Sequence, residues 1–196
     1  MNINESIDAL NKRIKDVYYA TKNHLNERIY RGHSRSISTD IEDAIALFIY
    51  DFIPNDYYLI VDPSVRVLGK THRPDILIVN GNNEVVAFIE IKSNMGWCRN
   101  AQWVLNDIID DDKAYQEAST LVCKLSDDTK KEVTYGNNVS KFLVALTSEN
   151  SDEDKHNANK EYARSLGIKH YLLFSNWYHS LEKKDAESFA KDILEL

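Results

Sequence analysis

The stretch that decides the fold is HRPDILIVNGNNEVVAFIEIK, residues 72–92. It contains two runs of β-branched and aliphatic residues, 76–79 and 84–92, which are typical of β-strands. The Asn80-Gly81 pair between the two runs is a strong short-range signal for a β-hairpin. We therefore predict two neighbouring strands joined by a tight turn.

Three charged residues lie at one end of this apolar hairpin. Side chains alternate faces along a strand, so Glu90 and Lys92 share a face, and pairing residue 79 with 85 or 86 brings Asp75 close to Glu90. Burying these charges is costly unless they are paired or bound to an ion. Two carboxylates suit Mg²⁺, which completes its shell with waters and phosphate oxygens. A lysine beside them can stabilise charge on a phosphate or take part in proton transfer.

Pro74-Asp75 followed by Glu90-Ile91-Lys92 resembles the signature of the PD-(D/E)xK nuclease superfamily, which has the restriction-endonuclease-like fold. The resemblance implies that Asp75 and Glu90 are metal ligands and that Lys92 is the catalytic lysine. The main-chain carbonyl of Ile91 is a candidate for a further ligand. The alternative is an edge hairpin that carries a solvated ion pair between Glu90 and Lys92.

Members of this superfamily often carry an acidic residue on the first core helix, close to the metal. Glu42 is the candidate here, and Asp43 is a weaker one. The alternative for Glu42 is a capping box, in which its side chain reaches back to the main-chain amide of Thr39. The sequence does not separate the two roles. Trp97 and Trp103 are expected to pack in the core or to dock a helix rather than to stack on bases.

The rest of the chain predicts a mixed α/β fold with a restriction-endonuclease-like core, a central mixed sheet of about five strands flanked by helices. The expected order is α-β-β-β-α-β-α-β-α, behind an additional N-terminal helix. A polar loop is expected over 126–140. The remaining predicted helices are 39–52, 99–125 with a break at 110–112, 154–166 and 183–195, and the remaining strands are 57–61, 65–68, 141–147 and 170–174.

A single nuclease domain is expected for a chain of 196 residues. We divide it into an N-terminal helix with a basic loop (1–36), a catalytic core (38–175) and a C-terminal helix (176–196). The N-terminal helix has a narrow apolar seam that either packs on the protein's own core or pairs two copies into a homodimer. The seam residues are Ile3, Ile7, Leu10, Ile14 and Val17.

The charge distribution bears on DNA as a partner. The formal net charge is −7, from 24 lysines and arginines against 31 acidic residues, which argues against tight non-specific binding. It favours an enzyme that is selective or that acts with a partner. Basic residues nevertheless concentrate in 12–35 and in 66–73. The candidate DNA contacts in and beside these segments are Arg31, Arg35, Lys70 and Arg73. The resemblance adds Arg99 and Gln102, because related nucleases place polar residues of the helix after the lysine near the active site or the DNA backbone.

The composition excludes several classes of protein. The first residues do not resemble a signal peptide, and the longest apolar stretch, 44–50, is too short to cross a bilayer. Cys98 and Cys123 lack the spacing of a metal site, which indicates a reducing compartment. We expect a cytoplasmic protein of bacterial or phage type, without membrane contact.

The resemblance implies a Mg²⁺-dependent DNA endonuclease of restriction type, in which Mn²⁺ can substitute for Mg²⁺. Two alternatives remain open. One is a nuclease of the same fold in recombination, transposition or repair. The other is a non-catalytic relative that binds DNA or protein, although an intact set of Asp75, Glu90 and Lys92 argues against it.

Overall fold

A computed structural model describes residues 2–22, 38–95, 101–148, 153–175 and 181–196. Its helices are α1 (Ile3–Lys22), α2 (Ser38–Tyr50), α3 (Ala101–Ala118), α4 (Glu153–Ser165) and α5 (Lys183–Leu194). Its strands are β1 (Tyr58–Val61), β2 (Ser64–Val67), β3 (Lys70–His72), β4 (Ile76–Val79), β5 (Glu84–Asn94), β6 (Thr120–Lys124), β7 (Lys130–Thr147) and β8 (Ile168–Leu172).

One mixed sheet contains all eight strands of the described residues, in the order β1-β4-β5-β7-β6-β2-β3, with β8 beside β7. The long strand β7 pairs with β5 along one side, and with β6 and then β8 along the other. The β5–β7 and β7–β8 pairs are parallel. Because β5 lies between β4 and β7, its carboxyl end is an interior position of the sheet.

Side-chain alternation along the central strands divides the core into two layers. Ile76 and Ile89 pack with residues of α1, α2 and α5, whereas Leu77 and Phe88 pack on the other face with residues of α3. Each large apolar side chain buried in this way contributes roughly 1.5–3 kcal/mol. Glu90 lies two residues after Phe88 on the same strand, so its side chain also lies on the α3 face.

The predicted hairpin is present as β4 and β5, and its turn sets the register. Val79 pairs with Val85, which is one of the two pairings that the sequence analysis considered. The Asn80 N–H donates to the Glu84 carbonyl at 2.9 Å. The Asn80 side-chain oxygen accepts hydrogen bonds from the main-chain N–H groups of Asn82 and Glu84, both at 3.0 Å. An asparagine side chain that bonds its own turn in this way holds the two strands in one register.

The predicted break at 110–112 is wrong, because α3 runs through those residues and ends at Ala118. Tertiary contacts hold the aspartates in the helix. The Tyr135 hydroxyl donates to Asp112 at 2.9 Å, and the Lys141 ammonium lies 3.1 Å from the same carboxylate. These contacts outweigh the modest helix propensity of aspartate. Ser119, with a φ of 56°, turns the chain into β6, so the helical prediction for 120–124 is also wrong.

The predicted loop over 126–140 is wrong for 130–140, which form the first part of β7. Val133 and Tyr135 point inward, whereas Glu132 and Thr134 are exposed. A strand that covers the core with only one face can be polar at every second position, and that composition resembles a loop. With β3 and β6 added, the sheet has more strands than the five expected.

The other predicted elements are confirmed to within a few residues, namely α2, β1, β2, α4, β8 and α5. Gly167, with a φ of 70°, follows the end of α4 as expected for a helix C-terminus. The predicted boundaries at 36 and 176 lie outside the described residues, so the division of the chain stays a prediction. No helix in the described ranges is long and apolar enough to cross a membrane.

The N-terminal seam packs within the chain. Ile7, Leu10 and Ile14 are buried in the same core layer as α2 and α5, and Ile3 and Val17 pack against that layer. Of the two roles that the sequence left open, the seam therefore has the internal one. It no longer supplies a reason to expect a homodimer.

Candidate active site

Asp75 and Glu90 lie beside each other at the end of the hairpin. Ile76 pairs with Ile89, so the two carboxylate residues follow in register on adjacent strands. Asp75 Oδ2 accepts a hydrogen bond of 2.5 Å from the main-chain N–H of Ile91. The Asp75 main-chain carbonyl accepts a second hydrogen bond, of 2.8 Å, from the main-chain N–H of Asp62, which directly follows β1. Contacts to strands on both sides therefore fix the position of Asp75.

Lys92 completes the predicted set. Its ammonium forms an ion pair with Oε1 of Glu90. Glu90 and Lys92 line a small cavity of about 60 Å³ with Phe88 and with residues of α3 that include Asp107 and Ile108. The structure thus brings Asp75, Glu90 and Lys92 together, and the pair of Glu90 and Lys92 lies inside the sheet rather than at an edge hairpin.

The two carboxylates crowd each other in a partly desolvated place. Burial is the main cause that raises the pKa of Asp75 to about 7, and the charge of Glu90 adds to it, while the Ile91 N–H and Lys92 oppose the rise. Burial also raises the pKa of Glu90, against the opposing effect of Lys92. Each carboxylate is therefore costly to ionise, and a bound cation would lower that cost.

Glu42 belongs to the same group of acids. Burial of its side chain on α2 raises its pKa, and the charges of Asp62, Asp43 and Glu90 raise it further. The capping box fits less well, because Thr39 lies inside α2, whereas that motif places the threonine before the first helical residue. The surroundings of Glu42 favour a role in the site over a cap.

The sequence missed a second acidic set, on α3. Asp107 and Asp111 are one helical turn apart, and the charges of both raise the pKa of Glu90. Asp111 is held by His72 of β3, whose Nδ1 lies 2.7 Å from the carboxylate. The four-residue spacing of the aspartates was the available signal. The resemblance implied that polar residues of this helix lie near the active site, but the sequence did not show which side of α3 faces β5.

A groove of about 580 Å³ opens beside Glu90, and we call it the cleft. One wall is the hairpin of β2 and β3, with Lys70 and Arg73. The opposite wall is α3, with Asp107 and Asp110. Two of the six candidate DNA contacts, Lys70 and Arg73, therefore line the same cleft as Glu90.

Of the other four candidate contacts, Gln102 is the one that belongs to the described residues. Gln102 is exposed in the first turn of α3. Arg31, Arg35 and Arg99 lie outside the described residues, as does Trp97. Trp103 was expected to pack in the core or to dock a helix, and the core position is wrong, because 68% of its surface is exposed.

The carboxylates of Asp75 and Glu90 offer the oxygen ligands that Mg²⁺ prefers. No group of three or more histidine, cysteine, aspartate or glutamate side chains among the described residues is arranged to hold a metal ion. Asp75 and Glu90 are two oxygen donors whose mutual repulsion a cation would relieve. Such a pair matches the one or two carboxylates that Mg²⁺ uses when waters and substrate phosphates supply its other ligands.

Comparisons with known proteins support the fold. No protein-family profile matches this chain, and no curated protein is similar to it in sequence. The structure is similar to NucC of P. aeruginosa ATCC27853 in its cAAA-bound form, with a TM-score of 0.59 and 12% identity over 98% of this chain and 88% of that one. That neighbour has a restriction-endonuclease-like fold, and this chain shares it.

A second similar structure is a chain of the DrdV–DNA complex. It has a TM-score of 0.38 and 14% identity over 66% of this chain and 12% of that one. A similarity at that score supports no argument about this chain.

Proposed function

We propose that the protein is a Mg²⁺-dependent DNA endonuclease that hydrolyses phosphodiester bonds, as restriction enzymes do. The observation that supports the proposal most strongly is the meeting of Asp75, Glu90 and Lys92 at the end of one hairpin. A purely structural hairpin has no need for two crowded carboxylates whose pKa values are both raised.

In this proposal Asp75 and Glu90 hold the ion through their carboxylate oxygens, with the Ile91 carbonyl as a further ligand. When bound, Mg²⁺ would supply charge neutralisation at the phosphate and lower the pKa of an attacking water. Mn²⁺ is expected to substitute, because it accepts the same oxygen ligands.

Lys92 and Glu42 act beside the ion. The Lys92 ammonium, which is paired with Glu90, would lie close to a phosphate held by an ion at that carboxylate and would stabilise the charge that develops there. Glu42 would orient water through its carboxylate, since it lies among the same acids without belonging to the hairpin.

DNA is the proposed substrate, because the basic wall of the cleft lies next to Glu90. Lys70 and Arg73 would contact phosphates there. Gln102, Arg31, Arg35 and Arg99 are proposed as further contacts on the sequence argument alone. The net charge of −7 favours an enzyme that selects its substrate or acts with a partner.

The test is incubation of supercoiled plasmid with the protein and Mg²⁺ or Mn²⁺, followed by mapping of the DNA ends. We expect linear or nicked product with either metal and none with EDTA. Metal-independent cleavage, or no cleavage of any plasmid, duplex, branched or single-stranded DNA, would contradict the proposal. Preference for branched over plain duplex DNA would instead assign a recombination or repair role to the same site.

A further inference from the structure

The two walls of the cleft carry opposite charges. The β2–β3 wall exposes Lys70 and Arg73, whereas the α3 wall carries Asp107, Asp110 and Asp111. Asp110 lies 3.7 Å from the Lys113 ammonium, and Asp111 is bonded to His72. Within the described part of the chain, no ion pair engages Asp107. A phosphate backbone is attracted to the first wall and repelled by the second.

An exposed tryptophan lies on α3, one helical turn before Asp107, which lines the cleft. Trp103 and Asp107 are four residues apart on α3, so they are neighbours on the same side of the helix. Asp107 and Val104 line the small cavity that contains Glu90 and Lys92. Trp103 is thus one helical turn from the cavity, with 68% of its surface exposed. Tryptophan is usually buried to a large extent, and its flat face is a stacking surface for nucleobases.

We propose that a DNA strand crosses the cleft with its phosphates toward Lys70 and Arg73 and its bases toward α3. Trp103 stacks on an unstacked base next to the scissile phosphate, and Asp107 accepts a hydrogen bond from the amino group of that base. Bases are neutral and their amino groups are donors, so they suit the acidic wall that repels phosphates. This inference rests on the proposed nuclease function and names its substrate class, DNA with an unpaired or extruded base at the cut.

The test is a binding titration in Ca²⁺, used in place of Mg²⁺ so that DNA is held without cleavage. Dye-labelled 20-nucleotide single strands of dC and of dT serve as probes, with anisotropy as the readout. Trp103→Ala should weaken binding about tenfold, the size expected for one stacked base, while Trp103→Phe should retain most of it. Tyr50→Ala is the matched control, because Tyr50 is equally exposed, at 68%, but lies at the end of α2.

Asp107→Ala should reduce the preference for dC over dT, because it removes the acceptor for an amino group that cytosine has and thymine lacks. If the unmodified chain binds DNA and Trp103→Ala binds it equally well, the inference is wrong while the proposed function stands. If the unmodified chain binds neither probe nor any duplex in Ca²⁺, the stacking inference and the proposed function are both wrong. A loss of binding in Tyr50→Ala as large as that in Trp103→Ala would also overturn the stacking role.

Discussion

Asp75 lies in surroundings that make its side chain difficult to ionise. It accepts a hydrogen bond from Ile91, faces Glu90 and has a pKa raised from 3.8 to about 7, mainly by burial. A carboxyl group with a raised pKa holds its proton more tightly in the folded state than in the unfolded one. The folded, metal-free protein therefore loses stability as the pH rises from about 4 to about 7.

Asp75→Asn should remove that loss, since an amide keeps an oxygen for the Ile91 N–H but does not ionise. We expect the difference in unfolding free energy between Asp75→Asn and the unmodified chain to grow as the pH rises to about 7 and then to level off. Denaturant unfolding in EDTA across that range measures it. A difference that is constant with pH would contradict the crowded-carboxylate description.

Glu42→Gln separates the two roles that the sequence left open. If Glu42 orients water at the site, the substitution should lower cleavage by about tenfold to a hundredfold, as loss of an outer partner of a metal site does. A glutamine in a capping box would keep its reach to the amide, and activity would then be unchanged. The rate of plasmid cleavage at saturating Mg²⁺ decides between them, with Asp43→Asn as the comparison on the same helix.

The sequence was most informative at the residue scale within the hairpin, because turn chemistry and strand alternation are local. It predicted that Asp75, Glu90 and Lys92 lie close together, and the structure brings them together, while their catalytic role stays a prediction. It did not reveal Asp107 or His72, because their approach to Glu90 depends on how α3 packs across β5 and β3. It also misplaced Trp103, since an aromatic residue in a helix is usually a core residue and no local pattern marks the exception.

At the scale of elements, β8 carries a group that the site does not use. His170 packs against the ring of His156 at 5.6 Å, and neither of its ring nitrogens has a hydrogen-bond partner among the described residues. Burial, with help from His156 and Lys160, lowers the pKa of His170 from 6.5 to about 3. The unfolded chain therefore binds a proton that the folded chain does not, and stability falls as the pH drops from about 6.5 toward 3.

His170→Leu should remove this acid sensitivity. Near pH 7.5 the change should be neutral or stabilising, because a buried ring with unbonded nitrogens is replaced by an apolar side chain. The unfolding free energy of His170→Leu should exceed that of the unmodified chain by an amount that grows as the pH falls below about 6.5. Denaturant midpoints at several pH values measure it, and an advantage that shrinks toward acid pH would rule out the buried neutral histidine.

Sequence patterns predicted the apolar elements well and the polar ones poorly. The strand at 141–147 has an apolar core, and it was found within the longer β7. The part of β7 from 130 to 140 is polar on its exposed face, and it was taken for a loop. Asp111 and Asp112 have partners on β3 and β7 that help to hold them in the helix, and no local sequence pattern includes those partners.

At the scale of the whole molecule, the assembly is a proposal. Cutting both strands of a duplex needs one active site per strand, and a two-fold homodimer supplies two at a fixed separation. Because the seam of α1 is buried within the chain, the interface must involve other surfaces. We expect a dimer in sedimentation at micromolar concentration. A monomer would contradict it and would make the protein a nicking enzyme or one that depends on another chain.

In the proposed mechanism the hairpin carboxylates hold the ion that cleavage requires. Replacing Glu90 and measuring cleavage is the most direct test of that role. Plasmid cleavage in Mg²⁺ is compared for the unmodified chain, Glu90→Gln and Glu84→Gln, the last being an exposed glutamate on the same strand. We predict that Glu90→Gln loses at least about a hundredfold in rate while Glu84→Gln cleaves as the unmodified chain does. Cleavage by Glu90→Gln at an undiminished rate would contradict the account.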